Sequence, residues 1–136
     1  MAMESVPLRA VVRHLLENAV QAAPPNTSVR VAARMVDLSP ADARAFHGAA
    51  SPGRAVELSF ADVGPGVAPS TRPRLFAEPF FTTKVRHRGL GLAVAYRTLT
   101  AHRGGVRIDS ASPAPGTVAR AVIPTTEPNP TTGGAR

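Results

Sequence analysis

The residues best suited to chemistry form a polar set within one amphipathic segment near the start of the chain. Asn18 carries a neutral amide oxygen, a hard ligand that suits Mg²⁺. His14 and Gln21 stand four residues before it and three residues after it, so on a helix they share its face. Taken alone, the pattern favours a surface asparagine on a polar stripe, and other motifs must decide between the two interpretations.

Asp62 opens the turn Asp-Val-Gly-Pro-Gly directly after a strand-like apolar segment. A carboxylate at a strand end can accept a hydrogen bond from an exocyclic amine such as that of adenine. Gly64 and Gly66 lack a Cβ, so the backbone there can approach a flat ring closely. The alternative is an ordinary Asp-Gly turn, which is common after strands.

A second glycine pair flanks Leu90 before another helical segment. Gly89 and Gly91 would expose backbone N–H groups at the helix N-terminus, where the helix dipole favours anions. Arginine, histidine and arginine at 86–88 add positive charge beside them, so the segment predicts a phosphate site. Its spacing matches neither the P-loop nor the dinucleotide-binding glycine pattern.

The segment between these two motifs has no clear periodicity. Phe80 and Phe81 follow a proline and precede Thr82, Thr83 and Lys84, which is the only lysine of the chain. Core packing is the simpler role for a phenylalanine. A mobile lid over a nucleotide also has this composition, and we expect one here.

Hydrophobic periodicity and turn residues predict the elements that position these motifs. The predicted helices are 6–22, a short helix capped by Ser39, and 90–102; the last is capped by His102 and ended by Gly104-Gly105. The predicted strands are 28–36, 55–61, 106–109 and 117–123. A helical turn at 69–75 and an irregular loop at 78–88 are expected between the second strand and the last helix. Thr117 begins the last strand, where a plain hairpin residue is the simplest interpretation.

This order predicts an α/β (α+β) two-layer sandwich, with a mixed, mostly antiparallel sheet and helices on one face. The domain is expected at 4–124, followed by a disordered tail at 125–136 rich in proline, threonine and glycine. The absence of cysteine excludes disulfides and Cys-ligated zinc and fits a cytoplasmic location. No apolar run reaches the roughly 20 residues that span a bilayer, so no membrane contact is expected.

The net charge of +7 is the usual mark of a nucleic-acid binder, but the arginines are scattered and form no run of five. Attraction of a polyanionic ligand explains part of the bias, because two arginine pairs, at 72 and 74 and at 86 and 88, flank the predicted nucleotide site. Nucleic acid is therefore not the expected partner.

Four motifs in one order resemble the catalytic ATP-binding domain of two-component sensor histidine kinases, of the GHKL superfamily with the Bergerat fold. HLLENAVQAA (14–23) resembles the N box, DVGPGV (62–67) the G1 box, FAEPFFTTK (76–84) the F box and RGLGLAVAY (88–96) the G2 box. The pair EPFFTTK and GLGLA is typical of the histidine kinase branch, close to the nitrogen-regulatory type.

The resemblance implies that the cofactors are ATP and Mg²⁺, with Asn18 holding the metal and Asp62 accepting the adenine amine. Backbone amides at Gly89 and Gly91 would meet the phosphates, and Thr117 would support the adenine end. The other nucleotide-binding positions that it implies are Gln21, Gly64, Gly66, Phe81, Thr82, Thr83, Lys84 and Leu90, and the catalytic positions are His14, Glu17 and Asn18.

The chain departs from the family pattern at three points. His87 stands where the phosphate loop usually has its first glycine, and His14 stands where ATP-hydrolysing relatives have a glutamate. Glu17 points about 100° round the helix from Asn18, so we expect little intrinsic ATP hydrolysis. The strand that precedes the N-box helix in the family is not provided, so the sheet is expected to lack its first strand.

None of the four histidines is followed by an acidic residue, as a phosphorylated histidine of this family would be. The resemblance therefore implies a domain that donates the ATP γ-phosphate to a histidine on a separate dimerisation domain, and acts only indirectly on a response regulator. The late start and the tail favour a piece excised from a larger sensor, inactive alone. The alternatives are a degenerate docking module without nucleotide, an anti-sigma-type serine kinase, and a nucleic-acid binder.

Overall fold

The computed structural model describes residues 5–64, 86–110 and 116–125, and at residues 5 and 86–92 the backbone alone. In chain order the elements are α1 (Ser5–Ala22), β1 (Arg30–Leu38), α2 (Pro40–Arg44), β2 (His47–Gly48), β3 (Gly53–Asp62), α3 (Arg86–Ala101), β4 (Gly105–Ser110) and β5 (Thr117–Pro124). The predicted turn at 69–75 lies outside the described residues.

The five strands form one sheet in the order β1-β3-β5-β4-β2, and every described pairing is antiparallel. Both long helices, α1 and α3, cover one face, which confirms the predicted two-layer class. The short α2 packs instead on the opposite face, around Phe46. Within the described residues no strand precedes α1, so β1 and β2 form the two edges of the sheet.

The main core lies between the two long helices and the sheet. Leu15 of α1, Leu99 of α3, Phe60 of β3 and Ile123 of β5 are each at most 1% exposed. The apolar residues of α1 recur at helical spacing while those of the strands alternate, so both patterns bring their apolar side to the same interface. The helical prediction for 6–22 is confirmed.

Local signals define the helix ends. The Ser39 side chain caps α2 by accepting a hydrogen bond from the Asp42 backbone N–H at 3.0 Å, and the Asp42 carboxylate accepts one from the Ser39 backbone N–H at 3.3 Å. At the end of α3 the predicted cap is confirmed, because His102 Nδ1 lies 2.8 Å from the carbonyl of Thr98. Arg103, not a glycine, takes the left-handed conformation there, with φ of 64°.

Gly104 is needed for close packing in addition to the predicted helix stop. A Cβ at this position would lie 2.4 Å from the carbonyl oxygen of Val122, so only glycine lets the end of α3 pack this closely on β5. Its own N–H still closes the helix by donating to the Leu99 carbonyl at 2.7 Å.

Two predicted element boundaries are wrong, and one strand was not predicted. The first strand runs Arg30–Leu38 and not 28–36, because its limits follow its pairing with β3 from Ala61 to Gly53. The two-residue strand β2 carries no sequence signal of its own. The third difference concerns the site: α3 begins at Arg86, inside the predicted loop. Within the described residues no helix is long and apolar enough to cross a membrane.

Candidate functional site

One end of the sheet, next to the C-terminal half of α1, holds most of the buried polar side chains described. Asn18, Asp62 and Thr117 are 8%, 5% and 8% exposed, respectively. Asp62 ends β3 and Thr117 begins β5, and the two residues are directly paired on the helix-covered side of the sheet. Buried polar groups are expensive unless they have partners, so this concentration marks a candidate site.

The helix contacts the sheet end through Gly64. A Cβ on Gly64 would lie 2.3 Å from the carbonyl oxygen of Ala22, which stands one turn after Asn18 on the same side of α1. Glycine is therefore required for this close approach, a reason that the sequence pattern did not reveal. The contribution of the Ala22 carbonyl was missed, because a backbone atom at a helix end leaves no mark in the sequence.

The Asp62 carboxylate is held in place by its own turn. Its Oδ1 accepts a hydrogen bond of 2.8 Å from the N–H of Gly64. A carboxylate offers about four lone-pair positions, so it can be oriented by this bond and accept from more than one donor at once. The arrangement suits recognition of an amine next to the end of β3.

Asn18 is the residue whose environment most clearly indicates a ligand. Its Nδ2 atom is buried and has no hydrogen-bond partner among the described residues. An amide buried without a partner costs about 1–3 kcal/mol. Rotation of the amide exchanges its nitrogen and oxygen in the same volume, so Asn18 can meet either an acceptor or a cation.

The other predicted residues of α1 lie differently. His14 is half-buried, whereas Glu17 and Gln21 are exposed. The helix therefore brings His14 and Asn18 to the buried side, and it does not bring Glu17 or Gln21 into the buried polar group. Gln21 shares the face of Asn18 only approximately, because a step of three residues falls short of a full helical turn.

No group of three or more metal-binding side chains occurs within the described ranges. A divalent cation near Asn18 would therefore be held by the asparagine oxygen together with oxygens of a bound phosphate, which is how Mg²⁺ is usually held in nucleotide sites. The neutral amide and its unmet hydrogen-bonding capacity fit such an ion.

The phosphate-binding prediction needs a correction. Gly89, Leu90 and Gly91 lie within α3 and not before it. In a helix that begins at Arg86, the N–H groups without an intrahelical partner lie in the first turn, before Gly89. A contact of the backbone at Gly89, Leu90 and Gly91 with phosphate stays a prediction. Gly66, Phe81, Thr82, Thr83 and Lys84 lie outside the described residues.

The opposite face of the sheet carries a charged groove of about 420 Å³. Arg107 and Arg120 both bind the carboxylate of Asp109, at 2.8 and 2.6 Å, and Arg34 binds Glu57 at 3.0 Å. The three arginines that line this groove are thus each bonded to a carboxylate.

His47 lies beside this groove, on β2. Its burial, and secondarily the positive charge of Arg107, lower the pKa of its imidazole below the usual value. The guanidinium of Arg107 also stacks 5.5 Å from the centre of the Phe46 ring. These contacts join α2 and β2 to the sheet, on the side opposite the candidate site.

The sequence of the chain is similar to that of histidine kinases and related ATPases. The sequence profile described as "Histidine kinase-, DNA gyrase B-, and HSP90-like ATPase" matches residues 3–127. The signal transduction histidine-protein kinase/phosphatase MprB of Mycolicibacterium vanbaalenii is 32% identical over 123 residues, which are 86% of this chain and 22% of that protein. The chain thus spans about a fifth of the length of this relative.

Two solved structures share the fold. The mycobacterial sensor histidine kinase MprB superimposes with a TM-score of 0.67 at 34% identity, covering 90% of this chain and 72% of that one. Full-length ShkA in complex with AMPPNP superimposes with a TM-score of 0.65 at 30% identity, covering 87% of this chain and 21% of that one.

Proposed function

The chain belongs to the family of histidine kinase-, DNA gyrase B- and HSP90-like ATPases, and we propose that it is the ATP·Mg²⁺-binding catalytic domain of a sensor histidine kinase. In this proposal it donates the γ-phosphate to a histidine on a separate dimerisation domain, on the cytoplasmic side of the sensor. The observation that supports the proposal is the buried Nδ2 atom of Asn18, which has no hydrogen-bond partner among the described residues, on the helix that meets the Asp62 turn at Gly64.

The adenine end of the site is assigned to the end of the sheet. Asp62 accepts the adenine amine while its Oδ1 remains bonded to the N–H of Gly64. Thr117, paired with Asp62 across the two strands, supports the same end of the base. The missing side chain at Gly64 lets the Ala22 carbonyl, one turn after Asn18, approach the Asp62 turn closely, which supports assigning Asn18 and Asp62 to one nucleotide site.

The phosphate end is assigned to Asn18 and to the start of α3. Mg²⁺, when bound, neutralises phosphate charge, and the Asn18 oxygen is the protein ligand that we assign to it. The free N–H groups in the first turn of α3, before Gly89, and the positive end of the helix dipole attract the phosphates. His87, in place of the family glycine, adds a donor within this first turn.

Catalysis in this class is mainly positioning and charge neutralisation. His14 lies one turn before Asn18 on α1, and we assign it a contact near the transferred phosphate. Glu17 is exposed and so is a poor base for activating water here. The nucleotide-binding roles that the sequence motifs imply for Gly66, Phe81, Thr82, Thr83 and Lys84, which lie outside the described residues, and for Gln21 are part of this proposal.

Thermal unfolding with and without ADP·Mg²⁺ tests the proposal. Saturating ADP·Mg²⁺ should raise the melting temperature, because a ligand at about 100 times its Kd adds about 2.7 kcal/mol of stability. Asp62→Asn should abolish the shift, since the amide turns a donor towards the adenine amine and keeps only one oxygen, which can still accept from Gly64. Asp37→Asn, at an exposed position on β1, is the matched control and should leave it intact.

A folded chain that shows no shift with either ADP or a non-hydrolysable ATP analogue would contradict nucleotide binding and favour the non-catalytic docking module. A chain that binds nucleotide but phosphorylates a serine, with a product stable to acid, would replace the histidine acceptor by the anti-sigma type of kinase. Phosphohistidine on the dimerisation domain is the expected product, and it is labile in acid.

A further inference from the structure

Three adjacent strands carry polar side chains at the end of the sheet that we assign to adenine. Thr117 of β5 is directly paired with Asp62 of β3 on one side and with Ser110 of β4 on the other. In each strand the residue two positions away lies in the main core, so all three side chains point to the helix-covered face. The position of Thr117 beside Asp62 therefore depends on how β5 pairs with both of its neighbours.

The opposite face of β4 and β5 carries a pair of arginines. Arg107 of β4 lies directly opposite Arg120 of β5, and like charges in this arrangement destabilise a strand pair. Their neighbours Ile108 and Ala119 lie in the main core, so both arginines point away from the helices. A carboxylate bound to both guanidinium groups would remove the repulsion between them.

Asp109 supplies that carboxylate from the same face of β4. Its Oδ1 accepts a hydrogen bond from Arg107 Nη2 at 2.8 Å, and its Oδ2 accepts one from Arg120 Nη1 at 2.6 Å. The Asp109 side chain is 22% exposed, so water screens these charges only in part. One carboxylate thus turns two repelling arginines into a bridge that joins β4 to β5.

The bridge lies next to the nucleotide end of the two strands. Asp109 is paired with Val118, and the following pair is Ser110 with Thr117. Successive residues are about 3.4 Å apart along a strand, so the bridge holds β4 and β5 together one step from Thr117.

We propose that Asp109 is a positioning residue for the adenine end of the site. It neutralises the arginine pair on the opposite face of the sheet and thereby holds Thr117 beside Asp62, without touching the nucleotide itself. The inference rests on the proposed function, in which Thr117 and Asp62 are assigned to adenine. Without the Asp109 carboxylate, Arg107 and Arg120 repel each other, and this end of the β4–β5 pair opens more often.

Titration with ADP·Mg²⁺ compares Asp109→Asn with the wild-type chain, well below the melting temperature of each. The substitution keeps the size of the side chain and removes its charge. It should weaken ADP binding about three- to tenfold, which is the expected effect of losing one hydrogen bond to the base. Unchanged affinity would overturn the proposal.

Glu57→Gln is the matched control on the same face of the sheet. Glu57 binds Arg34 at 3.0 Å and joins β3 to β1, five residues before Asp62. The control also replaces a bridging carboxylate by an amide, so a general loss of stability should appear in both variants. ADP affinity should change by less than about twofold in Glu57→Gln, because the site is distant. An equal loss of affinity in the two variants would make Asp109 a stabilising residue only.

A double-mutant cycle tests whether Asp109 acts through Thr117. Thr117→Val removes the hydroxyl group and keeps the shape of the side chain. In the Thr117→Val background, Asp109→Asn should weaken ADP binding by less than about twofold, because the contact that Asp109 positions is already lost. Losses that multiply in the double variant would refute the connection between the two residues.

A second double variant tests the neutralisation of the arginine pair. Asp109→Asn with Arg120→Gln removes the carboxylate and also the repulsion between the arginines. ADP affinity should return to within about twofold of the wild-type value, since neutral side chains then lie opposite Arg107. A double variant as weak as Asp109→Asn alone would overturn this part of the proposal.

Amide hydrogen exchange measures the strand pair without nucleotide. Asp109→Asn should raise exchange at residues 117–119 about tenfold, because exchange reports local opening, whereas Glu57→Gln should leave it unchanged. Unchanged exchange in Asp109→Asn would overturn the proposal. A wild-type chain that binds no ADP would overturn the proposed function and the adenine role of Asp109 together. Unchanged affinity of Asp109→Asn, in a chain whose wild type binds ADP, would overturn this inference alone.

Discussion

Replacing Asn18 by leucine should make the nucleotide-free protein more stable while removing magnesium-dependent nucleotide binding. The side chain is 8% exposed, and its Nδ2 has no partner among the described residues. Relief of an unpaired buried amide is worth about 1–3 kcal/mol. Leucine also favours the helix over asparagine by about 0.5 kcal/mol, while its extra bulk is expected to cost up to about 1 kcal/mol.

The expected net gain in the free energy of unfolding is therefore about 0.5–3.5 kcal/mol, which corresponds to a rise of about 2–14 °C in the melting temperature of a chain of this size. Urea and thermal unfolding without nucleotide measure it. Arg9→Leu is the control, because it places leucine at an exposed position of the same helix that has no assigned role in the site, and it should shift stability by less than about 0.5 kcal/mol.

The same variants are then titrated with ADP in the presence and absence of Mg²⁺. Asn18→Leu should weaken ADP binding and remove its dependence on Mg²⁺, whereas Arg9→Leu should retain both. A loss of stability beyond about 1 kcal/mol in Asn18→Leu would mean that the amide is satisfied within the fold, and would refute the reasoning from its burial. An unchanged response to Mg²⁺ would refute its assignment as the metal ligand.

Two further outcomes follow from close packing and from burial. Gly64→Ala should destabilise the chain by about 2–4 kcal/mol, because its Cβ would lie 2.3 Å from the Ala22 carbonyl. Gly53→Ala should cost less stability, because the space around Gly53 is open, although its φ is +127°. Equal losses of stability in chemical unfolding would contradict the packing argument. The lowered pKa of His47 means that the unfolded chain takes up a proton first as the pH falls below about 6.5. The stability associated with neutral His47 is thus present above that pH and is lost as the pH falls towards the folded pKa. His47→Gln should flatten this decline in unfolding measurements between about pH 7 and pH 5, and an unchanged slope would count against it.

The sequence alone determined whatever depends on residues close together in the chain. The apolar spacing of α1, the capping pair Ser39 and Asp42, and the histidine at the end of α3 act within one or two turns, so their patterns predict their structures. The order of the four motifs likewise identified the family, because motifs record the residues that a site needs even where the site is assembled only by folding.

Tertiary structure decided which of those residues meet and which atoms remain unpaired. How α1 crosses the sheet decides that Asn18 is buried and that its Nδ2 atom has no hydrogen-bond partner among the described residues. The requirement for glycine at position 64 depends on the Ala22 carbonyl, 42 residues earlier in the chain. The face that each β1 side chain occupies depends on the register between β1 and β3, because a slip of one residue would turn every side chain to the other face. These features are set by the packing of distant segments, and local sequence patterns carry no information about such distances.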